Sequence, residues 1–130
     1  MEFNITTTKR EEFINITRYV KQAVNESKIN DGIVVVFIPH TTAGVTINEN
    51  ADPDVLFDMI NGLKRIAPFG ENYRHIEGNS DAHIKASLIG SSVTVIVEDG
   101  NLKLGTWQGI YFCEFDGPRN RKFYIRIIED

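Results

Sequence analysis

Apolar positions along this chain recur at two periods, and each change of period marks an element. Residues Glu2 to Thr8 alternate loosely and end in threonines, which reads as a first strand. Phe13, Ile16, Val20, Ala23 and Val24 then return every three or four residues, the stripe of an amphipathic helix. Thr8 followed by Glu11 has capping-box spacing, so that helix is expected from about Lys9 to Ser27. Asn30-Asp31-Gly32 is a turn signal. Ile33 to Ile38 is an unbroken β-branched and aromatic run, the mark of a strand buried on both faces. Pro39 ends it, His40 to Gly44 form a polar loop, and Val45 to Asn48 make a further short strand. Asp52 as N-cap and Pro53 at the first helical position open a second helix, with Leu56, Met59, Ile60 and Leu63 as its stripe.

Ala67 to Ser80 shows no period and is rich in glycine, asparagine and histidine. A connection of that length in a small domain is usually functional or disordered. Asp81 to Gly90 reads as a short helix, capped by Ser80 and stopped by Gly90. Three strands close the chain, Ser92 to Glu98, Thr106 to Phe115 and Arg121 to Glu129, punctuated by Asp99-Gly100 and Asp116-Gly117-Pro118. The expectation is one α+β domain over 1–130, a mostly antiparallel sheet with two main helices and a short third laid on one face.

Composition narrows the partners. The 130 residues are 42% hydrophobic and carry a net charge of -4. A chain of this length buries ~65–70% of its unfolded surface and needs no disulfide staple. The acidic balance argues against nucleic acid, which selects a basic face. No apolar stretch approaches the ~18 residues of a membrane span, and no cationic and apolar leader opens the chain, so a cytoplasmic protein is expected. Cys113, the single cysteine, lies in an apolar run and reads as a buried small hydrophobe.

The three histidines, His40, His75 and His83, all fall outside apolar runs. Together they supply either a three-ligand metal site with an open water position or a set of acid/base and phosphate-binding groups. Their spacing matches no local metal motif. Carboxylates and amides crowd the same segments: Glu49 and Asn50 after the first, and Glu77, Asn79 and Asp81 between the other two. Such acids orient imidazoles, ligate metals or act as bases, while Asp52 and Asp81 have helix capping as the simpler role. Lys85 is either a contact for an anionic substrate or an exposed helical lysine. Trp107, beside Gly105 and Gln108, either walls a pocket for a flat ring or simply packs. Glu114 interrupts an apolar strand and, pointing inward, needs a partner such as Arg126, Lys122 or a second subunit. No P-loop, Gly-x-Gly-x-x-Gly, Gly-x-Ser-x-Gly or Cys-x-x-Cys is present.

Three motifs in order resemble those of the YjbQ family: His40-Thr-Thr-Ala-Gly-Val-Thr-Ile-Asn-Glu-Asn-Ala-Asp-Pro-Asp54, His75-x-Glu-Gly-Asn-x-Asp-Ala-His-Ile-Lys85 and Gly105-Thr-Trp-Gln-Gly-Ile110. Arg121 to Ile128 fits the family's closing strand. The resemblance implies an α+β fold assembled as a homotrimer, with sites near subunit boundaries. It implies a thiamine-phosphate synthase activity, joining a pyrimidine diphosphate to a thiazole phosphate with loss of diphosphate. It places the site on His40, Glu49, Asn50, His75, Asn79, Asp81 and His83. Together with the residue chemistry above, catalysis is expected on His40, Glu49, Glu77, Asn79 and Asp81, and substrate contacts on Thr41, Thr42, Asn50, Lys85, Trp107 and Gln108. A divalent metal, zinc or magnesium, on His40, His75 and His83 goes with it. The alternative is a trimer that binds a metal or metabolite without turnover.

Overall fold

The computed structural model describes all 130 residues. Two antiparallel sheets form its frame. Strands β1 (Glu2–Thr6), β8 (Asn120–Glu129), β3 (Gly32–Phe37), β5 (Ser92–Glu98) and β6 (Asn101–Leu102) lie in that order in the larger sheet. Strands β2 (Glu12–Asn15), β7 (Gln108–Glu114) and β4 (Ala43–Glu49) make the smaller one. Helices α1 (Thr17–Ser27), α2 (Pro53–Ile66) and α3 (Ser80–Ile89) complete the α+β domain.

The main core lies between the sheets. Val34 and Val36 of β3, Val95 and Val97 of β5, and Phe123 and Ile125 of β8 meet Val45 of β4 and Ile110 and Phe112 of β7. Val20, Ala23 and Val24 of α1 seal it, as their spacing predicts. A second core lies on the far face of the smaller sheet, where Ala82 and Ala86 of α3 pack on Tyr111, Cys113 and Phe115, and Leu56 and Leu63 of α2 close over them. Each large apolar side chain fully buried here contributes roughly 1.5–3 kcal/mol. Strand β7 is therefore buried on both faces. Burial also pushes the Cys113 thiol far up, so it packs and does not react.

Several expectations change. Residues 12–15, placed in the first helix, form β2, which pairs with β7 from Glu12 opposite Glu114 to Asn15 opposite Tyr111. The helix begins at Thr17, whose N–H and hydroxyl donate to Asn15 Oδ1. The capping box is absent: Thr8 bonds Glu12. Strand β3 is buried on one face only, because Ile33, Val35 and Phe37 point away from the core with Ile96, Tyr124 and Ile128 beside them. Phe37, Ile96 and Ile128 are 44%, 59% and 50% exposed. The cap of α3 is Asn79, one residue before Ser80.

Candidate functional site

The ends of β3, β7 and β8 and the start of α3 come together at one edge of the molecule. There they enclose a cleft of about 480 Å³, lined by His40, Thr41, Thr42, His75, Glu77, Asn79, His83, Asp116, Arg119 and Arg121. His40, Thr41 and His83 also wall an adjoining hollow of about 440 Å³. All three histidines thus line one cleft, His40 coming from a segment 35 to 43 residues from the other two.

His40 is fixed by backbone. The Lys122 amide donates to its Nε2 at 3.0 Å. The neutral ring must then carry its proton on Nδ1, leaving a donor there. Burial lowers its pKa first, and the Arg121 guanidinium lowers it further. His75 and His83 stand edge to face with centroids 5.6 Å apart, and His75 Nε2 lies 3.6 Å from Glu77 Oε1.

Beneath the histidines is a buried ion pair. Glu114, fully buried, accepts from Arg121 Nε and Nη2, from the Thr7 hydroxyl and from the amides of Phe115 and Asp116. Its partner is Arg121, and neither Arg126 nor Lys122 fills that role. Arg121 Nη2 also reaches the Thr42 hydroxyl at 2.8 Å. The bonds of Arg121 all leave from Nε and Nη2, so no bond within the chain uses Nη1, and Arg121 is among the residues lining the cleft. Arg119 Nε and Nη2 hold the Asp116 carbonyl and carboxylate, and Asp116 in turn accepts from Asn79 Nδ2 at 2.9 Å. Asn79 Oδ1 is buried and unpaired.

Helix α3 is drawn close to the sheet by small residues. A Cβ on Gly44 would stand 2.5 Å from the Gly90 carbonyl oxygen, which explains the glycine in the first motif. A second charge cluster anchors the same helix. Asp81 and Lys85 are both fully buried. Lys85 Nζ donates to Asp81 at 2.8 Å and to Glu11, while Arg10 grips Asp81 with two N–H groups at 3.0 and 3.1 Å. Burial alone would raise the Asp81 carboxyl, but the bonds from Arg10 and Lys85 outweigh it and hold it below its ordinary value.

These placements correct two site expectations. Asp81 is not placed to act as a base and Lys85 is not placed to meet a substrate, because both are fully buried in one ion-pair cluster with Arg10 and Glu11. They position α3 instead. Glu49, Asn50, Trp107 and Gln108 are also elsewhere. The β4–β7 ladder runs from Ala43 opposite Glu114 to Glu49 opposite Gln108. Six steps of about 3.3 Å put those four residues roughly 20 Å from the histidines within one chain. There the Asn50 amide reaches the Gln108 carbonyl, Gln108 Oε1 accepts from Gly105, and Trp107 is 64% exposed. Two arginines outside the three motifs, Arg119 and Arg121, also enter the site. Their spacing of two, just after Gly117-Pro118, is a strand-face signal that could have revealed them.

The donor set forms no ready three-histidine metal centre. No three histidine, cysteine or carboxylate side chains converge on one point. His40 Nε2 is already committed to the Lys122 amide, and the bond that commits it puts hydrogen on Nδ1. What converges instead are hydrogen-bond donors, two guanidinium groups and an imidazole N–H, on a polar cleft.

Along its full length, residues 1–130, the chain matches the family described as UPF0047 protein YjbQ-like. It belongs to that family. The UPF0047 protein of Methanocaldococcus jannaschii is 59% identical over 129 residues, 99% of this chain and 94% of that one. YugU of Bacillus subtilis is 55% identical over 125 residues, 95% of each. A solved member from Clostridium acetobutylicum, 59% identical, superposes with a TM-score of 0.97 over 98% of this chain and 99% of that one. A YbjQ-like protein of unknown function from Sulfolobus solfataricus, 31% identical, gives 0.96 over 100% and 96%. The fold of these UPF0047 proteins is thus shared across the whole chain, and no helix of this member is long and apolar enough to cross a membrane.

Proposed function

We propose that the histidine cleft binds phosphorylated small molecules and acts on them by group transfer with departure of phosphate or diphosphate. The observation that carries this reading is that Arg121, Arg119 and the three histidines line one polar cleft. Guanidinium groups match phosphoryl oxygens in charge and geometry. Arg121 is held rigid by Glu114 and Thr42, so it needs no reorganisation as charge builds on a leaving group.

Thiamine-phosphate synthesis fits these parts. The thiazole nitrogen bonds the methylene carbon of the pyrimidine diphosphate, and the carbon–oxygen bond to diphosphate breaks with its electron pair on oxygen. Arg121 and Arg119 stabilise that oxygen's charge, His40 Nδ1–H donates to a phosphoryl oxygen, and His75 and His83 line the same cleft as further hydrogen-bonding groups for the departing diphosphate. A homotrimer is part of the proposal. The bare outer face of the larger sheet supports it, with Phe37, Ile96 and Ile128 exposed. So does the placing of the third motif at the far end of the β4–β7 ladder, where a neighbouring copy could bring it to a histidine cleft.

The test is incubation with both phosphorylated substrates. The wild type should form thiamine phosphate, and His83→Ala should lose that activity while keeping its fold and oligomeric state. Wild-type turnover by His83→Ala would overturn the catalytic role. Thermal stabilisation by the substrates with no product would mark a binding protein without turnover.

A further inference from the structure

A second hollow, of about 500 Å³, is lined by Lys9, Arg10, Glu11, Lys64, Pro68 and Phe69, and none of those six residues lines the histidine cleft. We propose that this hollow is a second ligand site, for a small organic phosphate whose phosphate end lies between Lys9 and Lys64 and whose apolar end lies on Pro68 and Phe69.

Charge is the first argument. Lys9, Arg10, Lys64 and the buried Lys85 surround the hollow and its floor, against the carboxylates of Glu11 and Asp81. The excess is two positive charges, in a protein whose net charge is -4. The C-terminus of α2, one turn away, supplies only about half a negative charge in return. Concave walls concentrate such a field.

Availability is the second. Lys9 is exposed and enters none of the molecule's ion pairs. Lys64 is half exposed, and its one contact, Glu11 at 3.4 Å, is already bonded by Lys85. A phosphate therefore gains two cations without breaking a strong pair. The floor, by contrast, is rigid: Arg10 is held by Asp81 on its edge and stacks its plane 4.2 Å over Phe69. That stack occupies one side of the Phe69 ring and leaves the ring 64% exposed, so an apolar group has a fixed surface to cover.

Location is the third. Arg10 and Glu11 bond Asp81 and Lys85 of α3, the helix that carries His83. Occupancy of the hollow therefore bears on the same helix that presents an imidazole to the other cleft.

The experiment is amide NMR on the full chain, titrated separately with phenyl phosphate and inorganic phosphate. Phenyl phosphate should give saturable shifts in the amides of residues 9–11 and 64–69 and bind at least threefold more tightly there than inorganic phosphate. Phe69→Ala should remove that preference. Lys9→Gln/Lys64→Gln, two exposed changes that leave the core untouched, should weaken binding at least tenfold, and His83→Ala should leave it unchanged. Shifts confined to residues 40, 75–83 and 116–122 would overturn the proposal. So would shifts in the hollow that survive the double substitution, or equal response to both probes, which would mark nonspecific charge attraction alone.

Discussion

Replacing Lys85 by methionine tests the claim that this lysine is a buried strut and not a substrate contact. Methionine keeps the length and packing of the side chain and removes only the ammonium. Two charge-assisted bonds are lost, to Asp81 and Glu11, each worth about 1.5–3 kcal/mol. Asp81 keeps both N–H groups of Arg10, which softens its share. Glu11 keeps only Lys64 at 3.4 Å and Arg10 at 3.8 Å. Breaking a buried pair usually costs about 3–5 kcal/mol, so a loss near the lower end, about 3–4 kcal/mol, is expected. For a chain of this size that is a fall in Tm of roughly 10–15 °C, measured at fixed protein concentration because any association also stabilises. Acid unfolding supplies a second readout. Asp81's depressed carboxyl contributes stability that is present above its ordinary value of 3.8 and lost as pH falls through its folded value. Without Lys85 that value rises, so the acid limb of Lys85→Met should move to higher pH. A variant within 1 kcal/mol of wild type, with an unmoved acid limb, would refute the strut.

Three further outcomes follow from the same geometry. Gly44→Ala should destabilise by about 2 kcal/mol or more, because its Cβ meets the Gly90 carbonyl and backbone must shift; an unchanged denaturant midpoint would contradict this. His40 should titrate below the ordinary 6.5, owing to burial and Arg121. The unfolded chain then binds the proton more readily, so the stability His40 contributes is present above pH 6.5 and is lost as pH falls through its folded value; an NMR midpoint at or above 6.5 would oppose it. Cys113 should resist thiol reagents in native buffer and react at the rate of global unfolding, and fast labelling of the folded protein would show that it is not enclosed.

Much of this fold was readable from period and punctuation. The strand from Ser92 to Glu98 falls where its alternation puts it, and α2 starts at Pro53 as Asp52 and Pro53 require. Strand β2 was not readable, because Phe13 and Ile16 continue the stripe of α1 backwards at helical spacing. What makes residues 12–15 a strand is the β7 edge beside them, a tertiary partner that no local window contains. The same limit explains β3, whose apolar run describes an outer face that one chain leaves bare. In the site, the histidines and Asn79 announced themselves as polar residues in irregular segments. Asp81 and Lys85 looked identical in character but are internal struts, since burial depends on Arg10 and Glu11 from a distant segment. Arg119 and Arg121 were hidden as ordinary charges at a strand's start.

The proposed function requires the histidine cleft to receive phosphoryl groups. Its most direct test is a titration with inorganic diphosphate, followed by NMR at the imidazole carbons of His40, His75 and His83 and at the Arg121 Nε–H. Saturable shifts at His40, His83 and Arg121 are predicted, all abolished by Arg121→Gln while shifts near Lys9 and Lys64 remain. Diphosphate binding that leaves the Arg121 and His40 signals unmoved would contradict the account.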